Sequence, residues 1–356
     1  MIQMLIDVHT HPTLKAWEAA YDRAGLVRNS DGRPCLRSLA MPEWDADGQI
    51  AVMGRYGIRA MLMSTPFGVT VATGPAAREL ARAMNEEMSG LLRQWPDRLG
   101  AFAVLPLEDI EGSVAEIAYA LDHLGLDGVY MPTNVDGDYF GDERFAPIFA
   151  ELDRRRTTLF VHPTTPSFFD SIKLPYWPML LEGMFDSTRM ITSLVLSGMR
   201  SRYPNFTLIS THAGGAMPYL ASRLQTSGDF AHGARLPGAP KVWQPDEVWN
   251  GLTSFHFDLT SSNAPTTLGS ILQLVPSTQL LFGTDFPIRG ERFIEPQLKL
   301  LKESQMLDDA QRRDIFSGTA LRLFPRLAEA IRKADIEASA FPPVTNTAAL
   351  GADHGR

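Results

Sequence analysis

The strongest constraint on the fold is a rhythm: eight short apolar runs separated by segments long enough to be helices. The runs are LIDVH at 5–9, IRAMLMS at 58–64, LGAFAVLP at 99–106, DGVYMPT at 127–133, TLFVHPT at 158–164, FTLISTH at 206–212, FHFDLT at 255–260 and QLLFGTD at 279–285. Most are apolar at both alternating positions, as expected of parallel strands covered on one side by a barrel interior and on the other by helices. Segments 74–95, 112–125, 143–155, 185–202 and 291–304 have helical length, and Val114, Ile117, Ala118 and Leu121 show the spacing of one buried helix face. Eight such units predict an α/β fold, a (β/α)8 TIM barrel. An open doubly wound sheet would usually have fewer strands and a glycine-rich phosphate loop after the first. No GxGxxG follows any of the runs.

Three stretches break the rhythm: 12–45 after the first strand, 165–184 after the fifth and 227–252 after the sixth. In a barrel all three lie over the face that binds substrate, so they are expected to be lid insertions and pocket walls. Residues 308–333 read as helical with an interruption at Pro325, and 335–356, rich in Ala, Pro, Thr and Gly, as a loose tail. The predicted division is a barrel over 1–325 and a C-terminal helix end with a flexible tail over 326–356.

With 44% hydrophobic and 21% charged residues, the chain has ample material for a core. A net charge of −8 and no basic run argue against nucleic acid or an anionic membrane as partner, because both are bound through clustered Lys and Arg. No apolar run approaches the ~18–20 residues a membrane span requires. Cys35 is the only cysteine and cannot form an internal disulfide. The N-terminus MIQMLIDVHTH carries Asp and His where a signal peptide needs a basic region and an unbroken apolar one. A cytoplasmic location is the expectation.

Five side chains capable of metal or proton chemistry sit at the C-terminal ends of different strands: His9 and His11 on the first, His162 on the fifth, His212 on the sixth and Asp285 on the eighth. His9 and His11 are two apart, so on an extended chain both imidazoles leave the same face. A lone strand histidine is more often a hydrogen-bonded core residue, and Asp285 alone would make an ordinary helix cap. Gathered at one barrel end, however, they would be costly to bury without a partner, and a cation supplies one. Three imidazole nitrogens, one carboxylate oxygen and an open position suit one divalent ion, Zn²⁺ first, with Mn²⁺ or Fe²⁺ as alternatives. A bridged pair would want a further anionic ligand, such as a modified lysine, ending the fourth strand. That strand ends MPTN.

The motifs DVHTH, VHPT, STHAGG and FGTDFP, in this order, resemble the amidohydrolase superfamily over about residues 5–325. The resemblance is to the branch of α-amino-β-carboxymuconate-ε-semialdehyde decarboxylase and γ-resorcylate decarboxylase. Within it, DGDYFGDERFAPIFAELDRR and FDSTRMITSLVLSGMRSRYPN are most similar to 6-methylsalicylate decarboxylases. The resemblance implies that His9, His11, His162 and Asp285 are metal ligands and that His212 is an unligated catalytic histidine. It also implies that Arg223, eleven positions after His212, reaches a neighbouring subunit's substrate carboxylate in a homodimer or higher homo-oligomer. Arg33 is a second candidate for holding a carboxylate, and Phe286, Trp177 and Tyr176 are candidate pocket walls.

The implied substrate is a small aromatic carboxylic acid with a hydroxyl ortho to the carboxylate. Losing CO2 directly from an arene would leave an unstable aryl anion, so the ring carbon must be protonated first. Asp285 is the favoured donor, and His212 the alternative, acting directly or through water. A rival reading is hydrolysis of a lactone or amide on the same barrel, since zinc-bound water can have a pKa of about 7. Another is a metal that only holds the barrel together.

Overall fold

The computed structural model describes residues 4–36, 39–171, 175–226 and 243–340. Each of the eight apolar runs contains a barrel strand: β1 Leu5–Thr10, β2 Ile58–Met63, β3 Leu99–Ala103, β4 Gly128–Pro132, β5 Thr158–His162, β6 Thr207–Ser210, β7 His256–Asp258 and β8 Leu280–Leu281. They pair in parallel, in chain order, from β1 to β8. Val8 N donates to Phe282 O (3.0 Å), Asp285 N to His9 O (2.9 Å) and His11 N to Phe286 O (2.8 Å), so the last strand returns to the first. The sheet thus makes a nearly closed barrel.

Strand alternation sorts the core into two. Ile6, Ala60, Leu62, Tyr130, Phe160 and Ile209 belong to the barrel interior. Their neighbours Leu5, Met61, Met63, Leu159, Val161 and Leu208 face the surrounding helices. Period two therefore fixes which way a strand-end residue points. His162 is in phase with Phe160 and turns inward. The interior is a packed core: Phe102 and Phe160 stack at 4.7 Å between ring centroids.

Helices cover the outside at Gly74–Gln94, Ile110–Asp122, Ala146–Arg155, Glu182–Leu196 and Ile294–Glu303, within a few residues of the expected segments. The segment expected as one helix over 185–202 is broken, because Gly198 adopts a left-handed φ of 85° that ends the first helix before Met199–Arg202 begins another. At the C-terminus the helix that starts at Pro325 runs on to Ala340, beyond the predicted start of the tail. Phe324, Leu327 and Ile331 belong to the barrel-interior cluster, so this helix closes the N-terminal end of the barrel. Arg326 pins it there with a forked pair of bonds to the buried Asp127, 2.8 and 2.9 Å. Residues 341–356 lie outside the described residues.

The insertion after β1 holds a helix, Lys15–Arg23, and a short antiparallel pair, Cys35–Leu36 with Leu39–Ala40. No side chain of its own caps that helix. The Glu87 carboxylate does so from the Gly74–Gln94 helix, accepting from Lys15 N and Ala16 N at 2.9 Å each. Of the insertion expected over 227–252, residues 227–242 lie outside the described residues, and Pro245–Leu252 is helical. Among the described residues no helix is long and apolar enough to cross a membrane.

Candidate metal centre and active site

At the C-terminal end of the barrel, one donor atom from each of His9, His11, His162 and Asp285 lies within 4.8 Å of the others, and all four residues are buried. The pairing of β1 with β2 shifts register between Asp7 and Thr10. That shift allows His9 to reach inward next to the interior residue Val8, and its ring lies 5.3 Å from that of Phe160. His212 and Asp285 depend on the backbone instead. By alternation His212 would follow Leu208 and Ser210 to the outer face. Its φ of 53°, followed by 55° at Ala213, brings the ring back to 5.0 Å from His9 and 5.6 Å from His162. Asp285 has φ 63°. Gly215 completes the turn, and a Cβ there would lie 1.9 Å from the carbonyl oxygen of Met184.

The partners of each ring fix its tautomer. His11 Nδ1 faces the carbonyl of Ser64 at 3.1 Å, His162 Nδ1 that of Pro163 at 2.9 Å and His212 Nδ1 that of Thr260 at 3.1 Å. A carbonyl only accepts, so the proton resides on Nδ1 and Nε2 is bare. His9 Nδ1 faces the Asp258 carboxylate at 2.9 Å, with the same result. Burial, reinforced by the neighbouring rings, pushes His162 well below the usual imidazole range, and burial also lowers His11 and His212. Burial opposes charge on Asp285, but His11, then His9 and His212, outweigh it and hold the carboxyl down.

The result is a convergence of lone pairs. His9 Nε2 and His11 Nε2 are 3.0 Å apart, and His11 Nε2 is 3.1 Å from Asp285 Oδ1. Asp285 Oδ1 is buried without a hydrogen-bond partner. Three bare nitrogens and an ionised oxygen this close repel one another unless a cation lies between them. The donor set fits a divalent metal ion. His212 is outside the four-residue set but adjacent to it, with its bare Nε2 available for proton transfer.

The motif reading missed the residues that hold these donors. Asp258 Oδ2 fixes His9, while Oδ1 accepts from His212 N at 3.1 Å and Thr260 N at 2.9 Å. Asp7, fully buried, accepts from His9 N, Thr284 N and Thr284 Oγ1 at 2.9, 3.1 and 2.6 Å. Burial lifts its carboxyl to about 7, whereas at Asp258 the interaction with the hydrogen-bonded His9 ring outweighs burial and lowers it to about 2. A lone acid in an apolar strand is a signal for both. The carbonyls of Ser64, Pro163 and Thr260 have none.

Above the donors opens a cavity of about 750 Å³ that reaches His162, His212 and Asp285. Trp177 lies on its wall and is 40% exposed. Tyr176 and Phe286 do not line it; Phe286 packs against the helix-side core, and Ile288 and Arg289 line the wall in its place. Arg33 is off the wall, its guanidinium 3.5 Å from Asp31. Arg223 lies exposed on the helix Met217–Gln225, also off the wall. Arg289 is the only Arg or Lys among the described wall residues.

An eight-stranded parallel barrel that collects three imidazoles and a carboxylate at its strand ends, under an open cavity, defines a metal-dependent barrel enzyme. More narrowly, the chain belongs to the amidohydrolase family, whose profile matches residues 6–326. It is 33% identical to a 6-methylsalicylic acid decarboxylase of Penicillium expansum over 347 residues, 93% of this chain and 99% of the relative. It is 31% identical to a second enzyme of that name from Aspergillus aculeatus over 340 residues, covering 92% and 98%. A dihydroxybenzoic acid decarboxylase from Polaromonas, solved with manganese and 2-nitroresorcinol, shares the fold at 22% identity and a TM-score of 0.71, covering 91% of this chain and 97% of that one.

Proposed function

We propose that this chain is a decarboxylase of small ortho-hydroxybenzoates of the 6-methylsalicylate type, dependent on one divalent metal ion held by His9, His11, His162 and Asp285. The observation that carries the reading is the convergence of bare donor atoms on the floor of a cavity, in a chain matched along nearly its whole length by 6-methylsalicylic acid decarboxylases. When bound, the cation supplies Lewis-acid neutralisation of the substrate's carboxylate and hydroxyl oxygens. Three imidazoles and a carboxylate favour Zn²⁺, with Mn²⁺, the ion in the dihydroxybenzoic acid decarboxylase structure, as the alternative.

The chain's own residues handle the proton. Held ionised, Asp285 takes the hydroxyl proton of the bound acid and returns it to the ring carbon that bears the carboxylate. That carbon becomes tetrahedral, the bond to the carboxylate breaks, and its electron pair restores the aromatic ring as CO2 leaves. The product phenolate then takes a proton from water. His212, held by Thr260, orients the carboxylate or a water with its bare Nε2. The substrate-binding residues read from the sequence divide: Trp177 acts from the wall, while Arg223 suits a role toward a second subunit, consistent with a homodimer or higher assembly in the cytoplasm.

Metal-loaded protein incubated with a panel of ortho-hydroxybenzoates in D2O tests the reading. CO2 release is expected, with one deuterium at the ring carbon that bore the carboxylate. CO2 release from none of the panel overturns it.

A further inference from the structure

We infer that the substrate of this site carries an apolar substituent longer than a methyl group, seated in a lobe of the cavity built by the loops after β2 and β3. The inference rests on the decarboxylase reading and specifies the acid it acts on. Its starting point is size. A cavity of about 750 Å³ falls within the ~300–1,000 Å³ of sites that hold drug-sized ligands. A one-ring hydroxy acid fills only a fraction of it.

The cavity wall is also uneven in polarity. Loops after β4, β5, β7 and β8, the side that carries His162 and Asp285, contribute Asn134, Thr165, Ser167, Ser261 and Arg289, interleaved with Val135, Trp177, Met179, Leu180 and Ile288. Loops after β2 and β3 are apolar in the majority, contributing Phe67, Val69, Ala72, Leu105 and Leu107 with Thr70, Thr73 and Glu108 among them. An ortho-hydroxybenzoate has the same asymmetry, with both oxygen groups on one edge of the ring. With that edge toward the metal donors, the opposite edge faces away from them, and apolar wall is available to whatever extends from it.

Both sides are built before any ligand arrives. The Tyr130 hydroxyl, at the cavity floor, donates to Pro66 O at 2.8 Å and ties down the loop that carries Phe67 and Val69. Trp17 backs Phe67, with ring centroids 6.2 Å apart. On the polar side the buried Asp186 accepts from Thr133, from Asn134 Nδ2 at 2.8 Å and from Tyr139. A rigid apolar lobe gains affinity from every methylene it removes from water, without first having to collapse. Each buried methylene is worth about fourfold in affinity. Because that gain is shared by ground and transition states, it is expected in KM and leaves kcat unchanged.

The test measures binding and turnover separately on the Mn²⁺-loaded protein. Salicylates alkylated at position 4, and a second series alkylated at position 5, each from methyl to hexyl, are titrated by calorimetry and assayed for CO2 release. In at least one series Kd is expected to fall about fourfold per methylene over the first several. Ala72→Phe, at a partly buried wall position, is expected to end that fall at a shorter chain, read as the ratio of hexyl to methyl Kd, with thermal unfolding confirming a folded variant. Flat or rising Kd in both series overturns the inference, even if the methyl compound is decarboxylated. An Ala72→Phe slope equal to that of the parent overturns the placement of the lobe. Falling Kd without CO2 release from any member overturns the decarboxylase reading and upholds the lobe.

Discussion

Replacing Asp258 with Asn should weaken metal binding roughly 10- to 100-fold although Asp258 contributes no ligand atom. One carboxylate oxygen accepts from two backbone N–H groups, His212 at 3.1 Å and Thr260 at 2.9 Å, and the other holds His9 Nδ1 at 2.9 Å. Asparagine can keep one oxygen. With the two N–H groups to satisfy, that oxygen remains on their side, and the amide NH2 turns toward His9. Two donors would then face each other, and His9 escapes only by moving its proton from Nδ1 to Nε2. That proton points into the gap where His11 Nε2 is 3.0 Å away, so His9 is lost as a ligand in this tautomer. A hydrogen bond to a charged group contributes about 1.5–3 kcal/mol, which overlaps the roughly 10- to 100-fold loss typical when a partner of a metal ligand is changed. Competition with a chromophoric chelator measures the metal Kd, with circular dichroism and thermal unfolding as controls for the fold. An Asp258→Asn variant that unfolds normally and binds metal within threefold of the parent refutes the tautomer argument.

Asp285→Asn should abolish CO2 release, since an amide cannot shuttle the proton; turnover above a hundredth of the parent rate, measured on metal-loaded protein, would remove Asp285 from the proton path. His212→Asn should slow turnover while keeping one equivalent of metal by elemental analysis, and metal content near zero would show that His212 is itself a ligand. Glu87→Ala removes the acceptor for Lys15 N and Ala16 N and should cost about 1 kcal/mol, seen in urea unfolding as a lower midpoint at unchanged slope. Gly215→Ala places a Cβ 1.9 Å from the carbonyl oxygen of Met184, at a φ of 69°, and should destabilise by about 3 kcal/mol or more; an unchanged midpoint would mean that the turn relaxes freely.

The rhythm of apolar runs carried the barrel because parallel strands buried on both faces leave a signal in every residue. The end of β5 was legible for the same reason: period two puts His162 on the face of Phe160. His212 was legible only by its motif, since alternation sends it outward and a left-handed backbone that no residue type announces brings it back. The wall residues were the least readable. Phe286 points toward the helices while Arg289, three positions on, reaches the cavity, and nothing local distinguishes the two. The carbonyls of Ser64, Pro163 and Thr260, which set three of the four tautomers, are identical in sequence terms to every other backbone oxygen. The C-terminal helix continued past the expected start of the tail because Leu327 and Ile331 plug the barrel, a long-range need that a local reading of an Ala-rich segment underweights.

Residues at left-handed φ, costing on the order of 1–3 kcal/mol each when they are not glycine, include the two that would move the proton, His212 and Asp285, and Ala213 next to the first of them. What holds the strain is the same set of groups that orients the ligands. Asp258 accepts from His212 N while fixing His9. Asp7 grips Thr284 by backbone and hydroxyl, immediately before Asp285, and takes His9 N as well. Each buried acid therefore has two tasks, holding His9, by its ring for Asp258 and by its backbone for Asp7, and holding a strained turn, and neither task can fail alone. Burying two carboxylates is itself unfavourable, and Asp7, whose partners among the described residues include no Lys or Arg, is left with its carboxyl near neutrality. The barrel tolerates this because most of the donors that satisfy these acids are backbone N–H groups of the very strand ends they organise, joined by the His9 ring and the Thr284 hydroxyl. Metal affinity, the shape of the barrel mouth and the position of the proton-handling groups are consequently one cooperative property, so that loss of either acid should appear in all three together.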